Sequence, residues 1–153
     1  MIIWRLCRQR RSGQPLDGEG ARLYGGRWNY PGTAVVYTAS SLALAALEVL
    51  VHVDHDVAPT DLVSMPIEVP AGIRIEEISI ASLPANWRNT PAPEELQKIG
   101  TAWVHRATSA LLRVPSALIP EEHNYLVNPA HPDITRLKIG RPKPFTFDPR
   151  LLE

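Results

Sequence analysis

Cysteine is almost absent from this sequence. Cys7 stands alone among 153 residues, which excludes an internal disulfide and fits a reducing compartment. It reads as a small packed hydrophobe rather than a reactive thiol. Long apolar runs are missing as well: no stretch approaches the ~18 residues that a membrane span needs. The opening Met1-Ile2-Ile3-Trp4-Arg5-Leu6 turns charged too soon for a secretory h-region. The expected location is the cytoplasm, with no membrane association. Net charge is absent too, since 16 Lys and Arg balance 16 Asp and Glu. Direct nucleic-acid binding needs a basic footprint that this balance does not supply. The local cluster Arg5, Arg8, Arg10 and Arg11 reads as a solvated strand end and loop, with a phosphate contact from one of them as the alternative.

Several chemical signatures are also missing. There is no Gly-x-x-x-x-Gly-Lys phosphate loop and no Gly-x-Gly-x-x-Gly turn between strand and helix. No Gly-x-Ser-x-Gly elbow marks a nucleophilic serine. His52-Val53-Asp54-His55-Asp56 lacks the His-Glu-x-x-His spacing or a cysteine partner, so it reads as a polar helix end and no metal is expected. Repeats, low-complexity tracts and domain boundaries are not seen. The length suits one domain over residues 1–153 with a single core.

What the chain does have is punctuation. Its 15 prolines are spread along the sequence and separate short elements. Ile2–Arg8 alternates like a strand. Arg11–Gly32, rich in glycine, reads as a loop that needs unusual backbone angles or close ligand approach. Ala34–Ala39 is a β-branched, aromatic strand. Ser40-Ser41 offers an N-cap for a helix from Leu42 to about Val53. Because that helix is apolar nearly all round, it is expected to be central. Helical spacing sets Ser41, Glu48 and His52 on one stripe. Asp61–Val69 and Ile73–Ile80 read as strands and Pro84–Pro93 as an irregular loop. Thr90 is a candidate cap for a helix over Pro93–Arg106, with Leu96, Ile99 and Trp103 on its inner face. Ala110–Val114 is extended, Glu121–Pro129 turn-rich, Ile134–Ile139 a strand, and Pro142–Glu153 a loosely packed tail. The sum is an α+β domain of mostly antiparallel strands around a buried central helix.

Glu48 is the anomaly. It is the one charge in Ala43-Leu44-Ala45-Ala46-Leu47-Glu48-Val49-Leu50-Val51, and a carboxylate in apolar surroundings is costly unless something pairs with it or uses it. Upstream, Gly25-Gly26-Arg27-Trp28-Asn29 sets a guanidinium on a flexible loop beside aromatics. Arginine holds phosphate oxygens bidentately, and Trp28, Tyr24 and Tyr30 offer faces for a flat ring. The plain alternatives are a surface salt bridge for Arg27 and a structural ion pair between Arg27 and Glu48. Ser116, after Pro115 at a strand edge, offers a hydroxyl of fixed orientation, though most such serines are turn residues.

Taken together, these segments resemble the RES domain family, the toxin half of RES–Xre toxin–antitoxin pairs, named for an Arg, a Glu and a Ser. Here these are Arg27, Glu48 in Ala46-Leu47-Glu48-Val49-Leu50-Val51-His52, and Ser116 in Val114-Pro115-Ser116-Ala117. The match extends to Trp4-Arg5, Val36-Tyr37-Thr38-Ala39 and Asn124-Tyr125-Leu126-Val127-Asn128-Pro129, in the same order over nearly the whole chain. The resemblance implies a fold similar to ADP-ribosyltransferase toxins, with a cleft for NAD+ as substrate and no prosthetic group. Family members break the nicotinamide–ribose bond by hydrolysis or phosphorolysis, and some are reported to transfer ADP-ribose to a protein. The implied partner is an Xre-type antitoxin that occludes the cleft, with a homodimer conceivable within that complex. Carried onto this chain, Arg27, Glu48 and Ser116 are the expected catalytic residues. Arg27, Tyr37, Trp28 and Asn128 are the expected NAD+ contacts: Arg27 on the pyrophosphate, Tyr37 against the nicotinamide, and Ser116 on ribose or carboxamide. A non-catalytic ligand- or partner-binding module is the competing reading from another class.

Overall fold

A computed structural model describes residues 1–153. Eight strands form one sheet: β1 (Ile2–Arg8), β2 (Val36–Ala39), β3 (Leu62–Glu68), β4 (Ile75–Glu77), β5 (Leu111–Pro115), β6 (His123–Val127), β7 (Lys138–Ile139) and β8 (Lys143–Phe145). The helices are α1 (Glu19–Tyr24), α2 (Leu42–Leu50) and α3 (Glu94–Arg106). The sheet order is β4-β5-β6-β2-β1-β3-β7, with β8 also on β3. Only the β4–β5 pair is parallel, so the expectation of a mostly antiparallel α+β fold is met. No helix is long and apolar enough to cross a membrane.

Strand alternation sorts the side chains onto two faces. One face carries Ile3, Val36, Ile67, Leu111, Tyr125 and Val127, which pack with Val69, Ile73 and Leu137. The other carries two separate apolar clusters. In the first, Leu6, Ala39 and Leu62 meet Leu44 and Ala45 of α2 and Phe147 of the tail. In the second, Leu112, Val114 and Leu126 meet Leu96 and Trp103 of α3 together with Trp28 and Trp87. The register pairs Tyr37 with Leu126 and Ala39 with Asn124, so Tyr37 and Asn124 lie on this second face, toward the seam between its clusters.

Several local expectations are corrected. The glycine-rich stretch contains α1, bounded by Gly18 (φ 67°) and Gly25 (φ 72°), so there the glycines end a helix rather than exclude one. Helix α2 stops at Leu50, its end tightening into i−3 bonds from the His52 and Val53 N–H groups to the Val49 and Leu50 carbonyls, and Asp54 then caps a separate 3-10 turn. It is also less buried than its composition implies. The sheet covers one side of it, only Leu44 and Ala45 are buried, and Leu47 and Val51 are exposed. Ser41 does cap it, accepting from the Leu44 N–H at 3.1 Å, but exposed His52 lies beyond its end, so the polar stripe reduces to Glu48.

Thr90 does not cap α3, whose N-cap position is Pro93 with no side-chain bond. The stretch read as turn-rich contains β6, a strand in the middle of the sheet. Its asparagines suggested turns, yet Asn124 sits in the ladder opposite Val114 and Ala39. Residues 132–136 form a 3-10 turn capped by His131, which leaves only Lys138 and Ile139 extended. The tail is packed, not loose: β8 pairs with β3, and Phe147 is buried edge-on to Phe145, with ring centroids 5.2 Å apart. Arg5 is not solvated either; its Nη1 donates to the Tyr37 carbonyl at 3.2 Å.

Candidate active site

Glu48 points from α2 toward the end of the sheet where β5 and β6 meet. Ser116 Oγ donates to Glu48 Oε1 at 2.8 Å, and Asn124 Nδ2 donates to the same oxygen at 2.7 Å. The Ser116 hydroxyl itself accepts from the Leu118 and Ile119 N–H groups, both at 3.1 Å. Pro115 ends β5 just before it, and the chain turns so that these two amides converge on Oγ. Ser116 is wholly buried. Its hydroxyl is thus engaged with Glu48 and these two amides, in place of the expected bond to ribose or carboxamide.

Arg27 approaches from the other wall. Its loop is locked at many points. Asn29, fully buried, donates through Nδ2 to the carbonyls of Ala21, Tyr30 and Thr33 and accepts from the Tyr37 hydroxyl at 2.7 Å. The same hydroxyl accepts from the Trp28 N–H at 3.0 Å. Gly26 is required for this approach, because a Cβ there would lie 2.7 Å from the Tyr37 oxygen. From α3, Gln97 donates to the Gly26 and Asn29 carbonyls, and Thr101 Oγ1 accepts from the Tyr30 N–H. Gly100 lets the helix touch the loop backbone: a Cβ at that position would stand 1.8 Å from the Trp28 carbonyl oxygen.

The Arg27 guanidinium donates from Nη1 to the carbonyls of Trp87 at 2.9 Å and Asn89 at 3.0 Å. Burial pushes its pKa down, and the nearby Glu48 charge pulls it back up. The two make no salt bridge, however; every ion pair in the structure joins other residues. Arg88, between the two carbonyls that hold Arg27, donates to the Ala117 and Leu118 carbonyls. The 84–93 loop thus links the Arg27 wall to the Ser116 wall. Burial also raises the pKa of the Tyr37 phenol far above its ordinary value. That keeps it neutral, as both a donor to Asn29 and an acceptor from Trp28.

Two of the expected ligand contacts, Trp28 and Asn128, are buried within the protein. Trp28 is 2 % exposed and packs against Leu96, Trp103 and Leu126, so its ring has no face for a ligand. Asn128 is 0 % exposed. Its Nδ2 donates to the Val104 carbonyl and its Oδ1 accepts from the Ala130 N–H, both at 3.0 Å. It ties β6 to α3 and the following turn. Conversely, sequence reasoning did not single out Asn124, Asn29, Gln97 or Gly100. For Asn124 a signal existed: two residues before Leu126, it falls on the Tyr37 face once β6 is read as a strand. No three His, Cys, Asp or Glu side chains come together to hold a metal ion. A surface groove of about 350 Å³ between Gln9, Asp61 and Pro144 is lined by none of these residues.

Comparisons with known proteins bear on this geometry. A family profile described as RES domain matches residues 2–148. A protein named Prs ADP-ribosylating toxin, from Sphingobium sp. (strain YBL2), is 39% identical over 154 residues, covering 98% of this chain and 96% of its own. Toxin Res of Yersinia enterocolitica is 40% identical over 152 residues, covering 99% of each chain. Among solved structures, the crystal structure of the M. tuberculosis MbcT–MbcA toxin–antitoxin complex holds a chain that superposes with a TM-score of 0.77. That likeness covers 99% of this chain and 86% of the other at 19% identity, and it is one of fold.

Proposed function

This chain belongs to the RES domain family and has an ADP-ribosyltransferase-like α+β fold; from that premise we propose that it is the toxin of a toxin–antitoxin pair and cleaves the nicotinamide–ribose bond of NAD+. The observation that carries the reading is the fixed carboxylate. Glu48 has one oxygen held by Ser116 and Asn124 and forms no ion pair with Arg27, so its charge is free to act on a ligand. Breaking the bond gives positive charge to the ribose ring in an oxocarbenium-like transition state, which a preorganised carboxylate stabilises. Nicotinamide departs as a neutral base with the bonding electron pair, and no strong acid is required. Water or phosphate then attacks the ribose carbon, and water in doing so gives up a proton.

Arg27, held at the mouth of the seam by backbone carbonyls, takes the pyrophosphate, since a guanidinium matches its oxygens. Tyr37, its hydroxyl already committed to the Arg27 loop, offers its ring to the nicotinamide. The partner is an antitoxin that covers this seam, consistent with the toxin–antitoxin complex that shares the fold, and the pair works in the cytoplasm as a single-domain toxin with its Xre-type antitoxin. A second reading, transfer of ADP-ribose to a protein, draws on the Sphingobium relative named as an ADP-ribosylating toxin. The non-catalytic reading loses its main support, because the ion pair it needs is not formed.

The test is to incubate the purified protein, freed of antitoxin, with NAD+ and follow nicotinamide and the ribosyl product. We expect nicotinamide from the wild-type protein with no protein acceptor added, and its loss in Arg27→Ala. Free ADP-ribose identifies water as acceptor, and a phosphorylated product identifies phosphate. Nicotinamide released only when a protein is added, with label retained on that protein, establishes the transferase reading instead. No release under any of these conditions overturns both.

A further inference from the structure

Two donors converge on Glu48 Oε1, and their chemistry restricts what that carboxylate can do. The Ser116 hydroxyl has both acceptor positions taken by the Leu118 and Ile119 N–H groups, so its single proton must go to Glu48. The Asn124 amide faces the same oxygen with Nδ2. Turned over, it would set its carbonyl oxygen against the carboxylate, acceptor against acceptor. The orientation found has a cost, since Asn124 Oδ1 is buried with no hydrogen-bond partner. An unpaired buried acceptor in a strand is destabilising. A residue that weakens the fold locally while serving a reactive group is best explained by that group. Neither donor can accept a proton from Oε1, so any proton or hydroxyl that meets Glu48 must meet Oε2.

We propose that Asn124 is a positioning residue for the reaction: with Ser116 it commits one oxygen of Glu48, so that only Oε2 faces the substrate. This inference rests on the NAD+-cleaving reading of the same site. It does not place Asn124 in contact with NAD+. Removing the amide leaves the carboxylate held by Ser116 alone and freer to rotate.

The experiment compares wild type with Asn124→Leu, of similar volume and without the amide, measuring nicotinamide release across NAD+ concentrations together with thermal unfolding. We expect kcat to fall about 10- to 100-fold, as for loss of a hydrogen bond to a charged group. KM for NAD+ should change less than threefold. The melting temperature should stay within a few degrees of the parent, because loss of the bond to Glu48 is offset by removal of the unpaired Oδ1. A double-mutant cycle with Ser116→Ala should be non-additive, since both donors serve one oxygen. An Asn124→Leu enzyme with unchanged kcat overturns the inference. So does a kcat loss that is matched by a fall in folded fraction, or a loss confined to KM. If Asn124→Leu does not fold, Asn124→Ser provides the same kinetic comparison under the same criteria. Failure of the wild-type protein to release nicotinamide counts against the function itself and is distinguishable from both outcomes.

Discussion

Replacing Gly100 with alanine sets two physical effects against each other. Within a helix, Gly→Ala adds stability of about 1 kcal/mol through lower backbone entropy in the unfolded chain. Here the new Cβ would sit 1.8 Å from the Trp28 carbonyl oxygen and 2.8 Å from its carbon. Both are backbone atoms, so no side-chain rotation relieves the clash. Helix α3 and the Arg27 loop must separate, at a cost of about 1–3 kcal/mol typical of overpacking. Separation also strains three hydrogen bonds between them, Gln97 to Gly26 and Asn29 and Tyr30 to Thr101, each contributing roughly 0.5–1.5 kcal/mol. The net is a loss of about 2–4 kcal/mol. At this chain length each kcal/mol moves the melting temperature by ~2–4 °C, so Gly100→Ala should melt about 5–15 °C lower. Because Trp28 adjoins Arg27, nicotinamide release per folded molecule should fall as well. Differential scanning calorimetry with the NAD+ assay on the same preparation measures both. A variant that melts at or above the parent temperature would show that helix propensity wins and that the loop is not held against α3 as described.

Three further outcomes are expected. Ser116→Ala strands the Leu118 and Ile119 N–H groups and removes a donor from Glu48; urea unfolding should show a loss on the order of 2 kcal/mol, with lower kcat for nicotinamide release. Asn128→Ala should cost about 1–3 kcal/mol of stability in the same assay, since two buried hydrogen bonds are lost, while KM for NAD+ in the folded fraction stays at the parent value; a raised KM would restore Asn128 as a ligand contact. His123 has a pKa held below its ordinary 6.5, first by burial and then by the Arg113 cation, whose Nη2 lies 3.0 Å from His123 Nδ1. The folded state then binds fewer protons than the unfolded state below about pH 6.5, so this contribution to stability is complete above that pH and is lost as pH falls through the lowered value. Melting temperatures between pH 7.5 and 5.5 should decline less steeply in His123→Gln, and equal slopes would contradict the assignment.

The sequence made the anchors of this fold readable where local signals agreed with tertiary demands. Ile2–Arg8 alternated and became β1, and Ser41 stood before an apolar run and capped α2. The lone charge of Glu48 in an apolar run pointed to the place where Ser116 and Asn124 meet it. Reading failed where side chains answered to distant partners. Asn124 looked like a turn residue because asparagine commonly bonds its own backbone, whereas here its amide goes to Glu48, 76 positions away. Trp28 looked available for stacking because it adjoins Arg27, but Gly100 and Leu96 of a helix some seventy residues on bury it. The glycines around α1 signalled a loop, since positive φ at a helix boundary and at a ligand-binding turn call for the same residue. The burial of α2 was overstated because composition does not reveal whether both sides of a helix are covered.

The central claim is that the Glu48 charge drives the breaking of the nicotinamide–ribose bond. Its most direct test is single-turnover nicotinamide release with enzyme in excess over NAD+, comparing wild type with Glu48→Gln, which keeps size and hydrogen bonding while removing the charge. NAD+ binding is measured on both proteins by calorimetry. The account predicts binding within a few-fold of wild type and a chemical step slower by about 100-fold or more, in line with loss of one preorganised electrostatic contact. A Glu48→Gln protein that binds NAD+ and releases nicotinamide at the wild-type rate would contradict it.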